Sequence, residues 1–148
     1  MWNNSFRHFI DRFKVDNQYV HYWDFIRGRE PAGLIPWYFN LSDDKSVYNA
    51  AWKHITDTTE LLGKFGLRTN EPSYQYYFKQ FVFYKGQRGS QWNGPSLPYQ
   101  TSQVLTGMAN LINDYHQTIV TASDYIKILR LFARQHLLQN GKTDLVEN

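Results

Sequence analysis

A chain of 148 residues that is 42% hydrophobic and 18% aromatic is long enough to bury one ordinary core and too aromatic to remain disordered. Its 16 Lys and Arg against 13 Asp and Glu leave a formal charge of +3, but the basic residues are scattered along the sequence, which offers no clustered nucleic-acid face. The absence of cysteine excludes disulfides, thiolate catalysis and thiolate metal sites, and no run approaches the roughly 18 apolar residues that span a bilayer.

The opening Met1-Trp2-Asn3-Asn4 lacks the basic-then-apolar pattern of a signal peptide. Phe6, Phe9, Ile10 and Phe13 then recur at i, i+3, i+4 and i+7, which predicts a helix over 3–14 capped by Asn3 or Asn4. Between Gly28 and Asn40, two prolines and two glycines interrupt any long element while the apolar content argues against free exposure, so a buried irregular loop is expected. Val47, Tyr48, Ala51, Trp52 and Ile55 repeat at helical spacing behind Asp43, Asp44 and Ser46, which predicts a second helix over 44–56.

The stretch 57–73, with Gly63, Gly66 and Pro72, reads as a loop. Aromatic residues crowd 74–84, a composition that suits a strand or hairpin arm and equally suits a helix face, and a turn is expected at 85–89. Over 98–115, Val104, Leu105, Met108, Leu111, Ile112 and Tyr115 form one helical stripe. A last helix is predicted over 122–139, opened by a Thr121/Asp124 capping box, closed at Asn140-Gly141 and burying Tyr125, Ile128, Leu129, Phe132 and His136. Two such helices joined by about six residues should pack as an αα-hairpin, so the chain is expected to be mainly α, with a short β-hairpin near 74–84.

Chemistry concentrates in two stretches. Gln91-Trp92-Asn93-Gly94-Pro95 holds an indole and two amides on a stiff loop, and a sugar, with flat apolar faces ringed by hydroxyls, needs that pairing. Trp92 suits a core position as well. In Ile35-Pro36-Trp37-Tyr38-Phe39, Trp37 reads either as a second aromatic wall or as a plug between helices. Arg29 beside Glu30 offers a clamp for sugar hydroxyls or a structural ion pair. The five histidines never fall at metal-ligand spacing, no Gly-x-Ser-x-Gly elbow or phosphate loop occurs, and no metal or cofactor is assigned.

Taken in order, Gly28-Arg29-Glu30 through Ile35-Pro36-Trp37-Tyr38-Phe39, Gln91-Trp92-Asn93-Gly94-Pro95 with Thr101-Ser102-Gln103, and Leu145-Val146-Glu147-Asn148 resemble the six-hairpin glycosidases of the mannosylglycerate-hydrolase-like group, related to glycoside hydrolase family 63 and to trehalases. The resemblance runs over nearly the whole chain. It implies an (α/α)6 toroid of αα-hairpins, with a carbohydrate substrate in the central funnel and hydrolysis with inversion by two carboxyls roughly 6.5–9.5 Å apart. Glu147 matches the Glu-Asn element that supplies the base, and Gln91, Trp92, Asn93, Trp37 and Arg29 are the expected sugar contacts. On this reading residues 1–148 are a C-terminal-side fragment of one catalytic domain, inactive alone, with the general acid upstream and a secreted or periplasmic parent. Leu97 stands where relatives carry Trp, and Gly89-Ser90 replaces a Glu-Cys pair, which bears on the sugar chosen. The rival expectation, from a different class, is a non-catalytic carbohydrate-binding or helical interaction domain.

Overall fold

The computed structural model describes residues 1–79 and 93–136, together with the backbone of 83–84 and 87–88. Among these residues it is mainly helical. The elements run β1 (Trp2–Asn3), β2 (His8–Phe9), a 3-10 turn at Pro31–Leu34, α1 (Ile35–Tyr38), α2 (Ser46–Asn49), a 3-10 helix at Ala50–Ile55, β3 (Phe83–Tyr84), β4 (Gln87–Arg88), α3 (Pro98–Asp114) and α4 (Ala122–Gln135). The strands form two separate antiparallel pairs, Trp2 facing Phe9 in one and Phe83 facing Arg88 in the other.

The first prediction fails for a local reason. Asn3 does not cap a helix; its side-chain oxygen accepts the N–H groups of Ser5 (3.0 Å) and Phe6 (3.1 Å), closing a turn that competes with helix formation. Arg7 then takes a positive φ of 49° and the chain reverses into β2. Burial follows a period of two there, since His8 and Ile10 are enclosed at 0% and 4% exposure while the Phe6, Phe9 and Phe13 stripe is only half-buried.

The expected loop at 28–40 is more regular than anticipated. Pro31 and Pro36 each sit in the first turn of a short helical segment, where a missing N–H costs nothing. Asn40, at a positive φ of 52°, ends α1, and Asn110 of α3 donates its amide to the last carbonyls of α1, those of Trp37 (3.0 Å) and Tyr38 (3.2 Å). Helical structure at 46–55 matches the prediction but becomes 3-10 after Asn49.

The core gathers around α3. Val104, Leu105, Met108 and Leu111 pack with Leu34, Trp37, Trp52, Ile55, Leu61 and Leu67. Gly107 permits the close approach of α1, because a Cβ there would stand 3.1 Å from the Tyr38 nitrogen and 3.3 Å from the Trp52 ring. The capping box of α4 is present: Thr121 accepts the Asp124 N–H and the Asp124 carboxylate accepts the Thr121 N–H. Helix α4 packs on α3, yet Ile128 is its one fully buried residue. Leu129, expected on the buried stripe, is 37% exposed, and the expected stop at Asn140-Gly141 lies outside the described residues. A short β-hairpin is present, placed later than expected: 74–79 makes turns, and β3 at Phe83–Tyr84 pairs with β4 at Gln87–Arg88, residues expected in a turn.

Candidate active site

The sequence-predicted residues fall into three groups. Gln91, Trp92 and Glu147 lie outside the described residues. Trp37 is fully enclosed, edge-on to both Trp52 (5.7 Å between ring centroids) and Phe9 (5.8 Å). It therefore presents no face to a ligand, and the aromatic-wall reading gives way to the plug: between α1 and α3, transferring the indole out of water outweighs any exposed role.

Arg29 and Asn93 make up the third group, and the 57–73 segment, a loop by its sequence, joins them. Arg29 and Glu71, 42 positions apart, bind one another through backbone and side chain together. The Arg29 N–H donates to Glu71 Oε1 (3.0 Å), Arg29 Nη1 donates to Glu71 Oε2 (2.5 Å), and the Glu71 N–H returns to the Arg29 carbonyl (3.1 Å). Two positions before Glu71, the Thr69 N–H donates to the Pro95 carbonyl (3.0 Å) and the Thr69 hydroxyl accepts the Gly94 N–H (2.8 Å). Segment 69–71 is thus a polar strap with the Gly-Arg-Glu motif on one side and the Asn-Gly-Pro motif on the other.

Close approach explains two of the glycines in these motifs. A Cβ on Gly28 would come within 2.8 Å of Asn70 Oδ1 and 2.9 Å of the Tyr74 ring. Gly94 sits at φ +132°, which side chains rarely adopt, with Phe78 2.7 Å from where a Cβ would be. Asn93 is buried; its amide donates to the Tyr76 carbonyl, and its own carbonyl accepts the Phe78 N–H (2.9 Å).

The electrostatics are those of an enclosed network. Glu71 is 2% exposed, so its charge is tolerable only because Arg29 neutralises it. Arg29 Nη1 also meets Glu60 (3.1 Å), Arg29 Nε donates to the Phe6 carbonyl (2.9 Å), and the guanidinium lies over the Phe6 ring. Nη2 is the one guanidinium nitrogen without a partner among the described residues. Glu60 continues to His54 Nδ1 (2.5 Å), whose Nε2 faces the Arg7 carbonyl (3.1 Å).

His8 stands edge-on to His54 and donates from Nε2 to the Glu30 carbonyl (2.7 Å), which fixes its tautomer and leaves Nδ1 buried without a partner. Burial holds its pKa down from 6.5 to about 3, so the ring is neutral at physiological pH. The Glu30 side chain points elsewhere. It lines a cleft of about 310 Å³ with Asp11, Gly28, Ile35 and Pro36, and burial, then the neighbouring Asp11 charge, push its carboxyl above the ordinary range.

Glu60, Glu71, His8 and His54 escaped the sequence reading because each partner is supplied from far along the chain and no spacing announces it. The one available signal was indirect: charged residues inside an otherwise turn-rich, apolar stretch need a reason to be there. Among the described residues no group of three or more His, Asp or Glu is arranged to hold a metal ion, and no helix is long and apolar enough to cross a membrane.

The Gly-Arg-Glu and Asn-Gly-Pro loops of this mainly helical chain thus meet across a buried polar strap. The family of the mannosylglycerate hydrolase MGH1-like glycoside hydrolase domain matches residues 1–148, and the chain belongs to it. Three chains of solved structures match; one, a sialidase, superposes with a TM-score of 0.77 at 30% sequence identity over 93% of this chain. The chain spans 12% of that sialidase's length. No curated protein matches.

Proposed function

We propose that residues 1–148 form part of the catalytic domain of an inverting, exo-acting glycoside hydrolase built as an (α/α)6 toroid, cleaving O-glycosidic bonds of oligosaccharides or glycosides. Membership in a glycoside hydrolase domain family supports the reaction class, and the solved neighbour is itself named a sialidase. The observation that carries the reading within this chain is the convergence of the 28–30 and 93–95 loops on the 69–71 strap. Such a strap holds loops at fixed separation, as a site for a rigid sugar requires.

In this mechanism Glu147 is the general base that draws a proton from the attacking water, while a second carboxyl, from another part of the parent polypeptide, protonates the leaving oxygen. Gln91 and Trp92 contact the sugar, Asn93 reaches it only through its side-chain oxygen because its amide is held by the Tyr76 carbonyl, and the free Nη2 of Arg29 offers one further donor. Residues 1–148 alone give no turnover, because one carboxyl cannot act on both faces of the bond in a single displacement.

The test is hydrolysis of a panel of aryl and disaccharide glycosides by the complete parent protein, wild type against Glu147→Gln. A loss of kcat by about 10²–10⁴-fold in a folded variant is the expected result. Undiminished turnover in the variant moves the base elsewhere. A wild-type parent that binds sugars and hydrolyses none of them favours a carbohydrate-binding domain instead.

A further inference from the structure

Away from the strap, the 57–68 loop and α4 enclose a cleft of about 590 Å³, and five of the residues lining it are cations: Lys64 and Arg68 from the loop, Lys127, Arg130 and Arg134 from the helix. No carboxylate lines it among the described residues. The three helix cations stand at i, i+3 and i+7, so they share one stripe spread over about 10 Å of helix axis. All three are exposed, and none is paired with a carboxylate among the described residues.

Arg68 is fixed before any ligand arrives. Its Nη1 donates to the carbonyls of Thr58 (2.9 Å), Glu60 (2.7 Å) and Leu62 (2.8 Å), leaving Nε and Nη2 without partners among the described residues. A guanidinium pinned at one nitrogen and open at the others is prepared to receive an oxyanion with little loss of side-chain freedom. Beside it, like charges lining one cleft repel one another unless an anion joins them. Half-buried Leu131 adds apolar surface to the helix side of the cleft, and that surface suits the C–H face of a sugar ring.

We propose that this cleft binds an acidic oligosaccharide, with successive sulfate or carboxylate groups meeting Arg68 and the Lys127, Arg130 and Arg134 stripe. The spread of the cations favours a ligand with several anionic groups over a single small anion. The choice of a saccharide rests on the glycosidase reading; the recognition of multiple oxyanions rests on the cleft alone.

The experiment is direct titration of the protein with a fluorescent heparin-derived hexasaccharide, at about 50 and about 200 mM salt. Arg130→Gln and Arg134→Gln are each expected to weaken binding about tenfold. Lys53→Gln, an exposed cation outside the lining of the cleft, should leave it unchanged, and a neutral hexasaccharide should not bind. Equal binding by all these variants, or equal binding of the neutral sugar, overturns the proposal. So does a single-stranded DNA oligonucleotide that outcompetes the sulfated sugar, which assigns the cleft to nucleic acid. Because binding is read without turnover, failure of Glu147 as a catalytic base leaves this result standing, and the converse also holds.

Discussion

Two regions hold this chain together by opposite means. Around α3, stability comes from apolar side chains at helical spacing, with Trp37, Trp52, Met108 and Leu111 all fully enclosed and no charge among them. Around the 69–71 strap it comes from Arg29, Glu71, Glu60, His54 and His8, bound to one another and to backbone over separations of up to 47 positions. Apolar packing tolerates local rearrangement and is indifferent to pH. A buried ionic network tolerates neither the loss of one partner nor a change in charge, but it fixes loops in a defined relation. The difference teaches that α3 makes the fold stable, while the strap sets where the candidate sugar-binding loops stand.

Three measurements break or sharpen that contrast. Trp37→Ala should be the most damaging, destabilising the chain by about 4 kcal/mol in denaturant melts, since it opens a large cavity where α1 meets α3. A cost below about 1 kcal/mol would mean that the packing there is not what holds the core. Glu71→Ala should follow at about 3 kcal/mol, because Arg29 is left facing Glu60 alone in a site built for two carboxylates. In the parent protein the same variant should reduce catalysis more than its stability loss explains, whereas a core variant of equal stability should not.

The smallest effect is the pH response of His8. The unfolded ring takes up a proton as pH falls below 6.5, and the folded ring stays neutral until about 3. Between those values the unfolded state binds more protons, so His8 adds no penalty above 6.5 and stability falls as the solution is acidified. His8→Gln keeps a donor for the Glu30 carbonyl and removes the titration. Its melting temperature should drop less than that of wild type, by roughly 5 °C, between about pH 7 and about pH 4.5. Identical slopes would remove His8 from the acid response.

The apolar region was largely legible in the sequence and the strap was not. Helix α3 and the start of α4 follow from spacing and from Thr121 and Asp124, which are local signals. Leu129 was misjudged because amphipathic spacing says which residues share a face, not how much of that face a neighbour covers. The helix expected at 3–14 fell to Asn3, whose side chain closes a turn as readily as it caps a helix. Trp37 was ambiguous because a wall and a plug call for the same residue type. The motif order located Arg29 and Asn93, but Glu60 and Glu71 had no pattern to reveal them, since their meaning depends on partners that only the folded chain brings near.

The doubled bond between Arg29 and Glu71 has a consequence for the covalent chain itself. It fastens the two ends of a 42-position stretch by backbone and side chain together. That stretch includes the turn where Phe39 and Leu41 stand 59% and 77% exposed. Cleavage of this turn is therefore expected to release neither piece, because the clasp at 29 and 71 and the packing of α1 on α3 still join them. Connectivity between the two loops is thus carried twice, once by peptide bonds and once by noncovalent contacts.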